Sequence, residues 1–203
     1  MKLFETAATP SSRRVSIFLK FLNTDVERIQ LDLKGGDNLV ADFQSRNPSG
    51  TVPMLELDDG TCISESVAVC RYLDSVVDNK HDLFGKGAVE QAQVEMWHRV
   101  VELQGLMMAF QGFRNISGFY ADRENCVAAW GEEAKQRAVS FVDKLEKRLS
   151  QYSYVVGDRL TIVDITAFLF VNVMKMAFKV EFDAQYPAIV AWHAKLSAMP
   201  EFQ

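Results

Sequence analysis

The 203-residue chain is poor in the residues that staple or anchor a fold, with 3 cysteines, 5 prolines and 3 histidines. Cys62, Cys70 and Cys126 are odd in number and widely spaced. They give no disulfide framework or zinc pattern, and they fit a reducing, cytoplasmic setting. His81, His98 and His193 have no ligand spacing either, so no metal is expected. Positive charge is not in excess: 22 Lys/Arg against 27 Asp/Glu leave a net charge of −5. That disfavours nucleic acid or an anionic membrane as partner. Long apolar runs are missing too, since an uncharged stretch such as Leu103–Phe113 has only 11 residues, and a membrane span needs about 20. The start MKLFETAATP has one Lys, then an acid, and no apolar core, so it does not read as a secretory signal. What remains is an ordinary globular composition, 48% hydrophobic and 24% charged, long enough for one large domain or two small ones.

Along the chain the pattern changes type once. Residues 1–77 read as mixed α/β. KLFET is a short strand, and RRVSIFLKFL carries a helical apolar face through Val15, Phe18, Phe21 and Leu22. Val26–Leu33 alternates as a second strand. A weak helix is expected around Leu39–Gln44. Thr51–Leu57 and Thr61–Ser64 flank Asp58-Asp59-Gly60, a hairpin signal. A helix from Glu65 to about Val77 closes the unit. Residues 78–87 (DNKHDLFGKG) are turn-rich and read as a linker. Residues 88–203 carry only helical patterns, about Glu90–Phe110, Arg123–Leu149, Thr161–Met176 and Tyr186–Ala198. The fold class is therefore α/β followed by all-α.

Three segments of the first unit bear on chemistry. In Asn47-Pro48-Ser49-Gly50-Thr51-Val52-Pro53, the proline lies where a strand begins, because it cannot donate to a ladder. It is either a plain turn or, if cis, a bend that leaves the Val52 backbone free to pair with an extended peptide. Ser64-Glu65-Ser66 precedes a helix. It is either an ordinary cap or an anion site made by the first N–H groups and the Ser66 hydroxyl. Thr9-Pro10-Ser11-Ser12 puts three hydroxyls at another helix start, where hydroxyls are commonly caps.

The joint order TPSSRRV, NPSGTVP, SESVAVCRYL resembles the thioredoxin-like N-terminal domain of cytosolic glutathione transferases. Beyond the linker, GDRLTIVDI looks like the capping box of that family's all-helical domain: Thr161 and Asp164 satisfy each other's backbone donors, and Leu160 can pack on Ile165. ETAATPSSRRVSIFLK and MWHRVVE look most like bacterial relatives of the yeast second-type transferases. The resemblance implies that reduced glutathione, a co-substrate and not a bound cofactor, lies along the sheet edge. Val52, before Pro53, would exchange backbone bonds with the cysteinyl unit. Glu65 and Ser66 would hold the γ-glutamyl group, Ser12 would line the site, and Asn38 would lie near the glycyl carboxylate. It also implies a homodimer.

The protein must favour the thiolate of its ligand. Lowering a thiol pKa of about 8.5 by about 2 units takes roughly 2.7 kcal/mol. A hydrogen bond to a charged acceptor supplies about 1.5–3 kcal/mol, and a helix N-terminus about 0.3–1. One hydroxyl plus a helix end suffices. By alignment on Arg14-Val15, Thr9 is the first candidate donor and Ser11 the second. In the second-type relatives the usual Ser or Tyr is lacking, and no Tyr occurs here before Tyr72. No cysteine lies near Thr9, so mixed-disulfide chemistry lacks a nucleophile; Cys62 and Cys70 read as core. Met107, Phe110 and Phe113 suit either core packing or an adaptable apolar wall for an electrophile, with Arg114 and Asn115 as polar contacts. The expected activity is conjugation of glutathione to hydrophobic electrophiles, as in detoxification. Alternatives are a glutathione-dependent peroxidase, isomerase or dehalogenase, or a non-catalytic interaction protein with the same fold. Val52-Pro53 with Glu65-Ser66 argues against the last, because a scaffold has no need of a tripeptide site.

Overall fold

A computed structural model describes residues 1–78 and 81–203; positions 79 and 80, inside the expected linker, lie outside the described residues. The chain divides into two compact units, Met1–Asp82 and Leu83–Gln203.

In the first unit, strands β1 (Lys2–Glu5), β2 (Glu27–Gln30), β3 (Met54–Glu56) and β4 (Cys62–Ser64) form one sheet in the order β2-β1-β3-β4. β1 runs parallel to β2 and antiparallel to β3, and β3 runs antiparallel to β4. Helix α1 (Pro10–Phe21) makes the crossover that the parallel pair requires. A 3₁₀ turn (Asp37–Leu39) and α2 (Ala41–Arg46) follow β2, and α3 (Ser66–Val76) follows β4. Side chains alternate along β1, so Leu3 and Glu5 are buried on one face. Phe4 points to the other face and meets Phe43 of α2 at 6.2 Å. Helices α1 and α3 pack on each other through buried Val15, Phe18 and Phe21 of α1 and Val69, Cys70 and Leu73 of α3. The order β-α-β, short helix, β-β, α is as the residue patterns suggest.

The second unit is helical: α4 (Gly87–Val100), α5 (Met107–Ser117), α6 (Ala128–Leu149), α7 (Ile162–Phe178) and α8 (Pro187–Ser197). Leu83 and Phe84, expected in a linker, are buried, and the Leu83 carbonyl accepts from the Ile162 amide at 2.9 Å. Where the sequence suggests one helix over Glu90–Phe110, a π-helical turn (Val101–Leu106) joins α4 to α5. A Cβ on its Gly105 would come within 2.7 Å of the Phe141 ring of α6, so only glycine permits this approach. α6 begins at Ala128 and not near Arg123, because the Asn115 side chain takes the Val127 amide at 2.7 Å and stops the chain in a turn. α7 is buried nearly all round, as a core helix should be. His98 of α4 reaches its Thr166 hydroxyl at 2.9 Å, and Phe141 meets Phe170 edge-on at 5.4 Å.

Candidate active site

Strand register decides what comes together. Phe4 lies opposite Met54, and Met54 opposite Ser64. The chain therefore leaves β1 toward Thr6, enters β3 from Pro53 and leaves β4 toward Glu65, all at one end of the sheet. Neighbouring strands are about 4.8 Å apart, so β1 to β4 spans about 10 Å, which is roughly the length of an extended tripeptide.

At the β1 exit, Thr9 is the N-cap of α1, with an extended backbone (φ −77°, ψ 143°), and its oxygen accepts the Ser12 amide at 3.4 Å. Its hydroxyl lies 2.9 Å from the Thr6 carbonyl and 2.9 Å from the Ser12 hydroxyl. The single hydroxyl proton is thus engaged within the turn. Ser12 is fully buried, and Pro10 has no N–H to offer. Among the described residues, neither the amide nor the hydroxyl of half-buried Ser11 has a hydrogen-bond partner. Ser11 thus carries the open donors at this helix start.

At the β3 entry the Val52–Pro53 bond is cis. Among the described residues the Val52 backbone has no hydrogen-bond partner. Two asparagine amides secure the approach: Asn47 Nδ2 donates to the Thr51 carbonyl and Asn38 Nδ2 to the Gly50 carbonyl, each at 2.6 Å. Asn38 is buried with its Oδ1 unpartnered. Its amide group therefore serves the neighbouring backbone first, and the open atom is an acceptor. Sequence reasoning left Asn47 out of the site; the Asn-Pro-Ser-Gly turn around it was the available signal.

At the β4 exit, Glu65 adopts φ +67°, a left-handed value unusual for a residue other than glycine and frequent at ligand sites. Its side chain is exposed, while Ser66 is buried. No side chain caps α3 and no acid occupies its first turn. The first amides of α3 are left to water or to an anion. The Ser66 hydroxyl accepts from Arg14 Nη1 of α1 at 2.7 Å, in a buried contact. Sequence reasoning used Arg14 only for alignment. The missed signal was a charge on the apolar stripe Arg14–Phe18–Phe21.

Cys70 is fully buried, and burial pushes its thiol up to about 12. Cys62, expected in the core, is half-exposed on edge strand β4, with its thiol also pushed up by burial. Burial disfavours the thiolate at both. In the second unit, Met107 is exposed on α5 and Phe110 half-exposed. Phe113 packs on Phe119 at 5.9 Å. Arg114 pairs with Glu124 at 2.8 Å and lies 4.9 Å from the Tyr120 ring centre. Asn115 donates to the Gln111 carbonyl at 2.9 Å while holding Val127. The polar atoms of residues 114 and 115 therefore serve the α5–α6 hairpin, and Met107 and Phe110 supply the open apolar surface.

Known family models match both units of the chain. Residues 8–76 match the glutathione S-transferase N-terminal domain and residues 104–200 the glutathione S-transferase C-terminal domain. The chain belongs to the glutathione S-transferase family. Glutathione S-transferase 2 of Saccharomyces cerevisiae is 29% identical, covering 98% of this chain and 87% of that protein. The crystal structure of a Gtt2-class glutathione S-transferase of Vibrio parahaemolyticus is 49% identical, covers 100% of this chain and 96% of its own, and has a TM-score of 0.90. Gtt2 from S. cerevisiae, 27% identical, superposes over 100% of this chain and 98% of its own with a TM-score of 0.89. Within the family the chain is Gtt2-like, and its relatives are named as transferases.

Proposed function

We propose that the protein binds reduced glutathione along the end of the first unit's sheet and transfers its thiolate to hydrophobic electrophiles. The observation that carries this reading is the uncapped start of α3, with the buried Ser66 hydroxyl accepting from Arg14, in register with the unpaired Val52 backbone before the cis-proline. The γ-glutamyl carboxylate belongs at Ser66 and the α3 amides, with Glu65 toward the amine. The cysteinyl unit pairs with Val52, Asn38 holds the Gly50 carbonyl on the approach to it, and Ser12 braces Thr9 at the start of α1. The sulfur faces the start of α1. The Ser11 amide and hydroxyl are its donors ahead of Thr9, whose proton is engaged within the turn by the Thr6 carbonyl or the Ser12 hydroxyl. Met107, Phe110 and Phe113 offer the apolar wall for the electrophile. On this reading the chain acts as a cytoplasmic homodimer in detoxification.

Calorimetric titration with glutathione and parallel assays with an aryl halide and an organic hydroperoxide test this reading. Binding with conjugation of the aryl halide is expected. Peroxide reduction without conjugation would make the protein a glutathione peroxidase, and a folded protein with no glutathione binding would make it a scaffold.

A further inference from the structure

We propose that Arg14 is a positioning residue for carboxylate recognition: held in the core between α1 and α3, it fixes the Ser66 hydroxyl as an outward donor and places a positive charge behind it. The inference rests on the glutathione reading and adds to it a residue that never needs to touch the ligand.

Arg14 is 3% exposed and Ser66 5%. A guanidinium can only donate, so in the 2.7 Å contact between Arg14 Nη1 and the Ser66 hydroxyl the oxygen must accept. The hydroxyl proton is then free to point away from the arginine. A hydroxyl that accepts from a cation is polarised and donates more strongly in turn. The contact joins residues 52 positions apart, so α1 sets the rotamer of the first residue of α3. That helix start already carries the positive end of the α3 dipole, with no acid in its first turn to offset it. Adding a buried guanidinium there favours an anion, and a carboxylate placed on Ser66 meets both charges. The field of Arg14 reaches α3: at Cys70, where burial pushes the thiol up, Arg14 pulls the other way.

The test compares two ligands, glutathione and γ-aminobutyryl-cysteinyl-glycine, the same tripeptide without the γ-glutamyl α-carboxylate. By titration calorimetry, the wild type should prefer glutathione by about tenfold or more, the size of one charge-assisted bond. Arg14→Met should lose most of that preference by weakening glutathione and sparing the analogue, and Arg14→Lys should recover part of it. Weakening of both ligands in equal proportion, or of neither, overturns the proposal. Should Arg14→Met fail to fold, the Arg14 side-chain N–H resonances of the wild type serve instead. They should shift with glutathione and not with the analogue, and equal shifts or none overturn the proposal. A wild type that binds neither tripeptide overturns the glutathione reading itself and this assignment with it, whereas binding with an unchanged ligand ratio in Arg14→Met overturns this assignment alone.

Discussion

Two helix starts in this protein have opposite character. At α7 every donor near the start is answered from within. Thr161 accepts the Val163 amide at 3.3 Å, and Asp164 Oδ2 takes the Thr161 amide at 2.9 Å. Asp164 Oδ1 takes the Val155 amide at 2.9 Å and the Trp192 indole at 3.2 Å. At α3 no side chain caps the helix, the residue before it is held at φ +67°, and a buried arginine backs the first hydroxyl. Both starts have the same dipole. The sealed one links α7 to its neighbours and stabilises the second unit. The open one leaves a positive potential for water or an anion to answer.

The largest expected effect falls on the sealed start. Asp164→Ala strands four buried donors and should cost about 3 kcal/mol or more, lowering the melting temperature by roughly 10 °C in calorimetry. A loss below about 1 kcal/mol would end the contrast. At the open start, Ser66→Ala should weaken glutathione binding by about 10–100-fold, the loss of one charge-assisted bond. Its cost in stability should be about 1–3 kcal/mol, from the acceptor denied to buried Arg14.

Sealing the open start is a sharper trial. Ala68→Glu puts a carboxylate in the first turn of α3 at an exposed position. It should raise stability by about 0.5 kcal/mol through the dipole while displacing glutathione. Higher stability with undiminished glutathione affinity would show that this helix start is not the anion site.

The third start, α1, divides its donors between the two roles. Ser11→Ala should raise the pKa of bound thiol, read from the thiolate absorbance against pH, by about one unit, a charge-assisted bond in part replaced by water. Thr9→Ala should cost about 1 kcal/mol as a lost cap and move that pKa less. The reverse order would return the role to Thr9.

The smallest effect concerns pH. His193 stacks on Phe168 at 4.6 Å and bonds Asn172 at 2.9 Å. Burial, with Lys175 nearby, holds its pKa down at about 4. Its contribution is complete above about pH 6.5, the unfolded value, and is lost as pH falls toward the folded value. Solvent screening at this half-buried site leaves about 1 kcal/mol, or about 2–4 °C. Burial pushes Asp164 up to about 6, which acts in the opposite sense over the same range. The check is therefore wild type against His193→Gln: the variant should melt with less loss between pH 7 and pH 5.

Much of the architecture was legible in residue order. Alternation located the Val26–Leu33 strand, a short partly apolar run the first strand, the Asp-Gly turn the hairpin of the last two, and Thr161 with Asp164 the start of α7, because these signals are local. The π-helical turn at Val101–Leu106 was not legible: it depends on the fit of Gly105 against Phe141 of a different helix. Residues 114 and 115 read as candidate ligand contacts because their type is polar; their partners Glu124, Gln111 and Val127 emerge only when the α5–α6 hairpin closes. Alignment ranked Thr9 ahead of Ser11 as donor, and the hydrogen-bond geometry favours the opposite order because the Thr9 proton is engaged within its turn.

The sequence by itself determined the two-unit order, the glutathione transferase resemblance, and the placement of proline, glutamate and serine at the strand ends, since each is written in contiguous residues. The tertiary structure alone decided which groups are open. A hydroxyl proton has one acceptor at a time and a guanidinium only donates: the turn geometry within three residues engages Thr9 and leaves Ser11 open, and the fold brings Arg14 to Ser66 across 52 positions.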